Sequence, residues 1–200
     1  FRGEIIVDQN DHCWITTTTI SSDFPVVGAA QNSHSGMQDA VAFKFNSDLS
    51  SLLWSTYYGG TDDDAGYSIQ LNSINEPIIT GGTMSSDLFT SNGAINTSNS
   101  GNQDGFIAKF NGTGNSINAA TYIGTNLYDQ CYFIQTDLND NIYVYGQTEG
   151  IYPIAPASIY NNPGSGQFIH KLNPDLSSTE FSTVFGSGNG INIAPSAFLV

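Results

Sequence analysis

The sequence predicts an all-β fold assembled from repeated four-stranded antiparallel units, and three observations predict it. First, three of the four basic residues, Lys44, Lys109 and Lys171, hold one place in three copies of a repeat: Ala-Phe-Lys-Phe-Asn, Ala-Lys-Phe-Asn and His-Lys-Leu-Asn. The spacing from Lys44 to Lys109 nearly equals that from Lys109 to Lys171, and a long, even period of this kind marks an array of like structural units. Second, only 11% of residues are charged while Gly, Ser, Thr and Asn are abundant, a composition suited to strands and turns. Third, no stretch carries a convincing 3.6-residue apolar period.

Four strand-like segments recur in order. The first is Glu4-Ile5-Ile6-Val7, Tyr67-Ser68-Ile69-Gln70-Leu71 and Tyr132-Phe133-Ile134-Gln135-Thr136. A polar tight turn follows at Gln9-Asn10-Asp11, Ile74-Asn75-Glu76 and Asn139-Asp140-Asn141, residue types that tolerate hairpin dihedrals. The second strand is Trp14-Ile15-Thr16-Thr17, Ile78-Ile79-Thr80-Gly81 and Tyr143-Val144-Tyr145-Gly146. The third carries the lysine, with the repeated Asn46, Asn111 and Asn173 two residues on. The fourth covers 53–58, 118–123 and 180–185, and each copy then stops at glycine, at Gly59-Gly60, Gly124 and Gly186.

Four short antiparallel strands per repeat describe a β-propeller blade. One such sheet cannot bury both faces alone, whereas stacking like sheets around an axis covers them and leaves few free edges. The predicted units are 1–60, 61–125 and 126–188, with 189–200 starting a fourth. Phe1 and Val200 both fall in first-strand positions. Three blades do not close a ring, and at this period seven need roughly 450 residues, so the chain reads as part of a larger propeller. The surplus length of each unit lies between strands two and three, as at 83–104. A secretion signal is not legible at Phe1-Arg2-Gly3-Glu4, which places any such signal outside this stretch.

The repeat resembles the SBBP, or seven-bladed β-propeller, family. The resemblance rests on Ser21-Ser22-Asp23-Phe24-Pro25, on Asp104-Gly105-Phe106-Ile107-Ala108-Lys109-Phe110-Asn111, and on Trp54-Ser55-Thr56-Tyr57-Tyr58-Gly59-Gly60. It spans essentially the whole chain. The third copy departs from it, with Gly150-Ile151-Tyr152-Pro153-Ile154 and Gln167-Phe168 in place of the first two elements. The resemblance implies a module of a large secreted surface protein of gliding Bacteroidota, with type IX secretion sorting domains and immunoglobulin-like modules elsewhere. It implies no catalytic residue.

Charge narrows the function classes. Four basic residues against 18 acidic ones give a net charge of −14, which offers phosphates no cationic surface and sets nucleic acid aside. No apolar run reaches the ~18 residues of a membrane-spanning helix, so no membrane insertion is predicted. Cys13 and Cys131 fall at non-equivalent repeat positions and read as small buried hydrophobes rather than a disulfide.

The repeated Lys44, Lys109 and Lys171 read as scaffold, stems packed between units and ammonium groups on a carboxylate or carbonyls. Asp62, Asp63 and Asp64 are the best candidates for a ligand or cation rim, with Tyr128 and Asp129 beside them. Clustered oxygens suit Ca²⁺, yet no Asp-x-Asp-x-Asp-Gly spacing occurs and acids spread over both rims, so no cofactor is assigned. Asp129 sits where Asp64 does in its own copy, which points to a hydrogen-bonding role. Trp14 and Trp54 alternate with other large hydrophobes and read as core, while Tyr128, Tyr152 and Tyr160 are predicted to be exposed in rim loops. His12, His34 and His170 share no metal-ligand spacing, and no nucleophile-elbow context appears.

The reading is a non-enzymatic extracellular or cell-surface propeller, an interaction or display scaffold whose partners are a protein or surface glycan and other domains of the same long chain. A glycan- or calcium-dependent adhesion module using the acidic rim is the alternative. A propeller hydrolase whose catalytic residues lie in blades outside this segment has no support in these residues.

Overall fold

The structure is a computed structural model that describes residues 3–189. The expected start of a fourth unit at 189–200, and the strand positions assigned to Phe1 and Val200, lie outside the described residues apart from Asn189. Twelve strands follow in chain order: β1 Glu4–Val7, β2 Cys13–Thr19, β3 Asp39–Phe45, β4 Leu52–Tyr58, β5 Asp64–Leu71, β6 Pro77–Thr83, β7 Asp104–Phe110, β8 Ile117–Ile123, β9 Asp129–Thr136, β10 Ile142–Thr148, β11 Gln167–Leu172 and β12 Thr179–Phe185. They form three four-stranded antiparallel sheets, each in sequence order: β1–β4 is sheet 1, β5–β8 sheet 2 and β9–β12 sheet 3. No helix occurs among the described residues.

Turn chemistry explains why the strands fold back on themselves. In the first hairpin of each sheet, Asp11, Asn75 and Asp140 take φ of 60°, 61° and 60°, a left-handed conformation that Asn and Asp adopt at low cost. In the hairpin between the third and fourth strands the same region is taken by Leu49, Gly114 and Leu176. Here the repeated asparagine organises the loop. The N–H groups of Asn46, Asn111 and Asn173 donate to the carbonyls of Ser51, Ser116 and Ser178 at 3.1, 2.9 and 3.1 Å. The Asn46 side-chain oxygen accepts from the Ser51 N–H, and that of Asn173 from the N–H groups of Ser177 and Ser178. A register shift directly follows every repeated lysine, between Lys44 and Phe45, Lys109 and Phe110, and Lys171 and Leu172, which twists the end of each third strand.

The long connections between second and third strands return along the outer strand of their own sheet. Val27 bridges Ser55, the Ser91 N–H donates to the Ala120 carbonyl, and Ala155 bridges Ser182.

Apolar residues on alternating positions stack the sheets in series. Trp14, Ala40, Ala42, Trp54 and Tyr58 of sheet 1 share a core with Ile69, Ile79, Phe106, Phe110 and Tyr122 of sheet 2. The opposite face of sheet 2, with Ile78, Ile107, Ala119 and Ile123, shares a second core with Ile134, Ile142, Val144, Phe168 and Leu172 of sheet 3. β6 and β7 are therefore buried along their whole length, while β10 alternates between buried and half-buried residues. Each fully buried Ile or Phe contributes about 1.5–3 kcal/mol of transfer free energy.

Hydrogen bonds also cross between sheets. The Ser68 hydroxyl donates to Glu4 Oε2 at 2.5 Å and accepts from the Ile134 N–H at 3.0 Å, so one side chain on β5 ties all three sheets together.

Between sheets 1 and 2, close approach requires glycine at Gly114, whose φ is +75° and where a Cβ would fall inside the Trp54 indole. Gly93 has φ +85°, and a Cβ there would meet nothing within 4 Å. Gly114→Ala is expected to cost about 2–4 kcal/mol, from backbone strain plus overpacking, and Gly93→Ala only about 1 kcal/mol. Chemical denaturation of the two variants checks this; equal losses would mean that the Trp54 contact does not hold sheets 1 and 2 together.

Candidate functional site

The rim where one sheet leads into the next carries Asp62, Asp63, Asp64, Tyr128 and Asp129. Parallel bridges Gln38↔Asp63 and Gln103↔Tyr128 bring the start of a third strand beside the start of the next sheet. The Asp64 N–H donates to the Gln38 carbonyl at 2.7 Å and the Asp129 N–H to that of Gln103 at 2.8 Å. Asp62, Asp63 and Asp64 consequently do not act as one cluster. Asp62 is exposed, Asp63 half-buried and Asp64 fully buried, because neighbours on an extended chain point to opposite sides. Asp64 Oδ2 accepts from the Gly60 N–H at 2.7 Å and the Ser85 hydroxyl at 2.8 Å. Its equivalent, Asp129, is just as buried and accepts from the N–H and hydroxyl of Thr125 at 2.6 and 2.7 Å. Both carboxylates pin the sheet-to-sheet connection. Among the described residues, no group of three or more His, Cys, Asp or Glu side chains is placed to hold a metal ion.

Residues of the third strand supply what sequence reasoning passed over. Asp39 and Asp104, the first residues of β3 and β7, are fully buried. Asp39 Oδ2 accepts from the Ser35 N–H at 2.9 Å, and Asp104 Oδ2 from the Ser100 N–H at 2.8 Å. The available signal was an aspartate five residues before the lysine in two copies, with Gly166 at that place in the third. Burial pushes the Asp64 carboxyl up to about 6 against the hydrogen bonds that favour its charge, and Asp39 adds to the rise. Burial likewise pushes Asp104 up to about 6, with Asp129 adding to it. Asp39 is also raised, chiefly by burial.

The repeated lysines occupy related environments at the opposite ends of the sheets. Lys44 lies 3.4 Å from Asp8 Oδ2 and 4.3 Å from the centre of the Trp14 ring. Lys171 lies 3.1 Å from Asp137 Oδ2 and 5.0 Å from the Tyr143 ring. Asn72 stands where those copies have Asp8 and Asp137, and it bonds Glu76 instead. Lys109 therefore reaches out of its own sheet and donates to the Pro174 carbonyl of sheet 3 at 2.7 Å, with 8% of its surface exposed.

The exposed tyrosines predicted at the rim divide. Tyr160 is 74% exposed and Tyr128 half-buried, but Tyr152 is 5% exposed, correcting the expectation for that residue. Its ring stacks on Phe168 at 4.1 Å, and its hydroxyl meets His170 Nδ1 at 2.8 Å while His170 Nε2 meets the Thr179 hydroxyl at 2.8 Å. The extra polar atoms of this copy thus satisfy each other in a chain that runs from the buried Tyr152 and His170 to the exposed Thr179. Burial pulls the His170 imidazole down to about 4. Trp14 and Trp54 are buried at 3% and 4% and present no ring to a sugar. Cys13 and Cys131 are free, and burial raises the Cys131 thiol far above its ordinary range, which leaves it unreactive.

A cavity of about 490 Å³ opens on the same rim of sheet 3, lined by Thr148, Glu149, Gly150, Ile151, Gly164, Ser165 and Gly166. Glu149 is its one charged group among these, with no nucleophile–base pair beside it. No protein-family model matches the chain, and no curated protein matches it either.

Lys109→Ala is expected to lower stability by about 1.5–3 kcal/mol, the range for a buried charge-assisted hydrogen bond, and the more exposed Lys44→Ala and Lys171→Ala by under about 1 kcal/mol. Thermal unfolding ranks the three; a reversed order would refute the scaffold role of Lys109. Acid sensitivity has a separate origin. Burial works against the charge of Asp8 and Asp137, but hydrogen bonds from Trp14, Asn10 and His12 in one case, and Asn141 and Lys171 in the other, hold both well below the usual carboxylate range. A depressed carboxyl stabilises the fold above its unfolded value near 4 and loses that contribution as pH falls further. Asp8→Asn and Asp137→Asn should therefore flatten the loss of melting temperature below about pH 4.

Proposed function

We propose that the three sheets are blades of a β-propeller and that this propeller is a non-enzymatic interaction or display scaffold of a secreted or cell-surface protein. The observation that carries the reading is the serial stacking of three equivalent sheets, the middle one dry on both faces. Sheets of this kind cover one another around an axis, and the SBBP resemblance of the repeat supports an extracellular setting. The scaffold role is favoured by where the chain places its reactive groups. Its His170 network, the Cys131 thiol and both tryptophans are internal, and its rims display exposed loops that mix scattered acids with single apolar side chains such as Met84, Phe89 and Ile151.

Display at a surface has direct consequences. Antibodies raised against the exposed loops around Asp62, Asp87 and Tyr160 should label intact source cells or the shed protein. Labelling that requires cell lysis would remove the extracellular reading. In calorimetry, Ca²⁺ should give no saturable heat; a saturable heat lost in Asp62→Asn/Asp63→Asn would transfer the assignment to calcium-dependent adhesion.

A further inference from the structure

Four aspartates are fully buried at the sheet-to-sheet rim, and each keeps one carboxylate oxygen, Oδ1, with no hydrogen-bond partner. They come in two pairs that span a sheet boundary. Asp39 of sheet 1 and Asp64 of sheet 2 sit on consecutive glycines: Asp39 Oδ1 packs against Gly59, and Asp64 Oδ2 takes the Gly60 N–H. Asp104 of sheet 2 and Asp129 of sheet 3 repeat this, with Asp104 Oδ1 against Gly124 and Asp129 Oδ2 on the Thr125 N–H. In all four, Oδ2 accepts a hydrogen bond and Oδ1 has no partner.

Two buried carboxylates that each leave one oxygen without a donor repel each other and are costly to keep ionised. The titratable groups around the first pair are His34, Tyr57, Tyr58, Asp87 and Tyr122, and around the second Tyr122, Cys131 and Tyr152. None of these is a lysine or arginine, and Lys44, Lys109 and Lys171 are engaged elsewhere. Calcium takes about 6–8 oxygens, whereas two unpartnered oxygens suit a single proton. The repeat also drops both members together. Gly166 replaces the Asp39/Asp104 member, and the residue five after Gly186, where Asp64 and Asp129 follow Gly59 and Gly124, is Ile191.

We propose that each pair, Asp39 with Asp64 and Asp104 with Asp129, holds one proton on its unpartnered Oδ1 oxygens, forming an acid-closed latch between adjacent sheets. The proton comes from solvent on mild acidification and bridges carboxylic acid and carboxylate; nothing else is exchanged. Burial that raises a carboxyl from its unfolded value near 4 to about 6 gives stability that is complete below about pH 4 and lost as pH rises through about 6. Adjacent sheets are thus held more tightly at mildly acidic pH than at alkaline pH.

Carboxyl ¹³C NMR of the ¹³C-aspartate-labelled chain, followed from about pH 8 to about pH 5, should show uptake of one proton per pair. The melting temperature should rise over the same interval. Asp39→Asn supplies an amide donor to Asp64, and Asp104→Asn one to Asp129; each should abolish the titration of its own pair and remove its share of the thermal slope. Wild-type spectra in which all four carboxylates stay ionised to about pH 5 would overturn the latch, whatever the variants do. So would a melting temperature that falls with EDTA and is restored by Ca²⁺, since the pairs would then hold a metal ion.

Discussion

A four-stranded sheet with apolar side chains on both faces is dry only when something lies on each side of it, and this constraint organises the molecule. Sheet 2 meets it completely: one face shares a core with Trp14, Trp54 and Tyr58, the other with Ile134, Val144 and Phe168. Because the driving force is removal of apolar area from water, it does not dictate which side chains meet. Direction comes from polar links such as Ser68, which accepts from the Ile134 N–H and donates to Glu4. Burial holds the stack together, and these bonds set how far each sheet slides over the next.

The repeat preserves backbone geometry while exchanging side-chain volume across each boundary. At the outer edge of sheets 1 and 2 a large indole, Trp54, lies against Gly114. At the next boundary the sizes are inverted: Ala119 takes the Trp54 place, Leu176 takes the Gly114 place, and both belong to one buried cluster. Close-packed interiors require the pair, not the individual residue, to fill the space. The left-handed backbone of Leu176 is a strained choice for leucine in a hairpin, and its complete burial offsets that cost.

Charge is arranged with the same economy. Eight of the 18 acids are exposed, but Asp39, Asp64, Asp104 and Asp129 are enclosed where chain passes from sheet to sheet. They bind backbone N–H groups that no strand partner would satisfy, the commonest reason for a polar side chain to be buried. The lysines work at the other end, two paired within their own sheets and Lys109 reaching the next one. Asn72 explains the difference, since it removes the carboxylate that would have kept Lys109 at home.

Strand existence, order and approximate length were legible in the sequence, because β-branched and aromatic runs separated by Asn, Asp and Gly turns are local signals. So was the repeat itself: identical short-range requirements, such as the asparagine that closes each second hairpin, recur at a fixed spacing. Asp62, Asp63 and Asp64 look alike as letters, yet strand alternation and a parallel bridge to Gln38 send one to solvent and one to the interior. Tyr152 read as an exposed loop residue because its partners, Phe168 and His170, lie on a strand well along the chain. The aspartate pairs were invisible for the same reason, since Asp39 and Asp64, like Asp104 and Asp129, stand far apart in the chain and meet only once two sheets stack. Local chemistry wrote the elements; which groups became dry, and beside whom, was decided by packing between sheets, because burial depends on every neighbour at once.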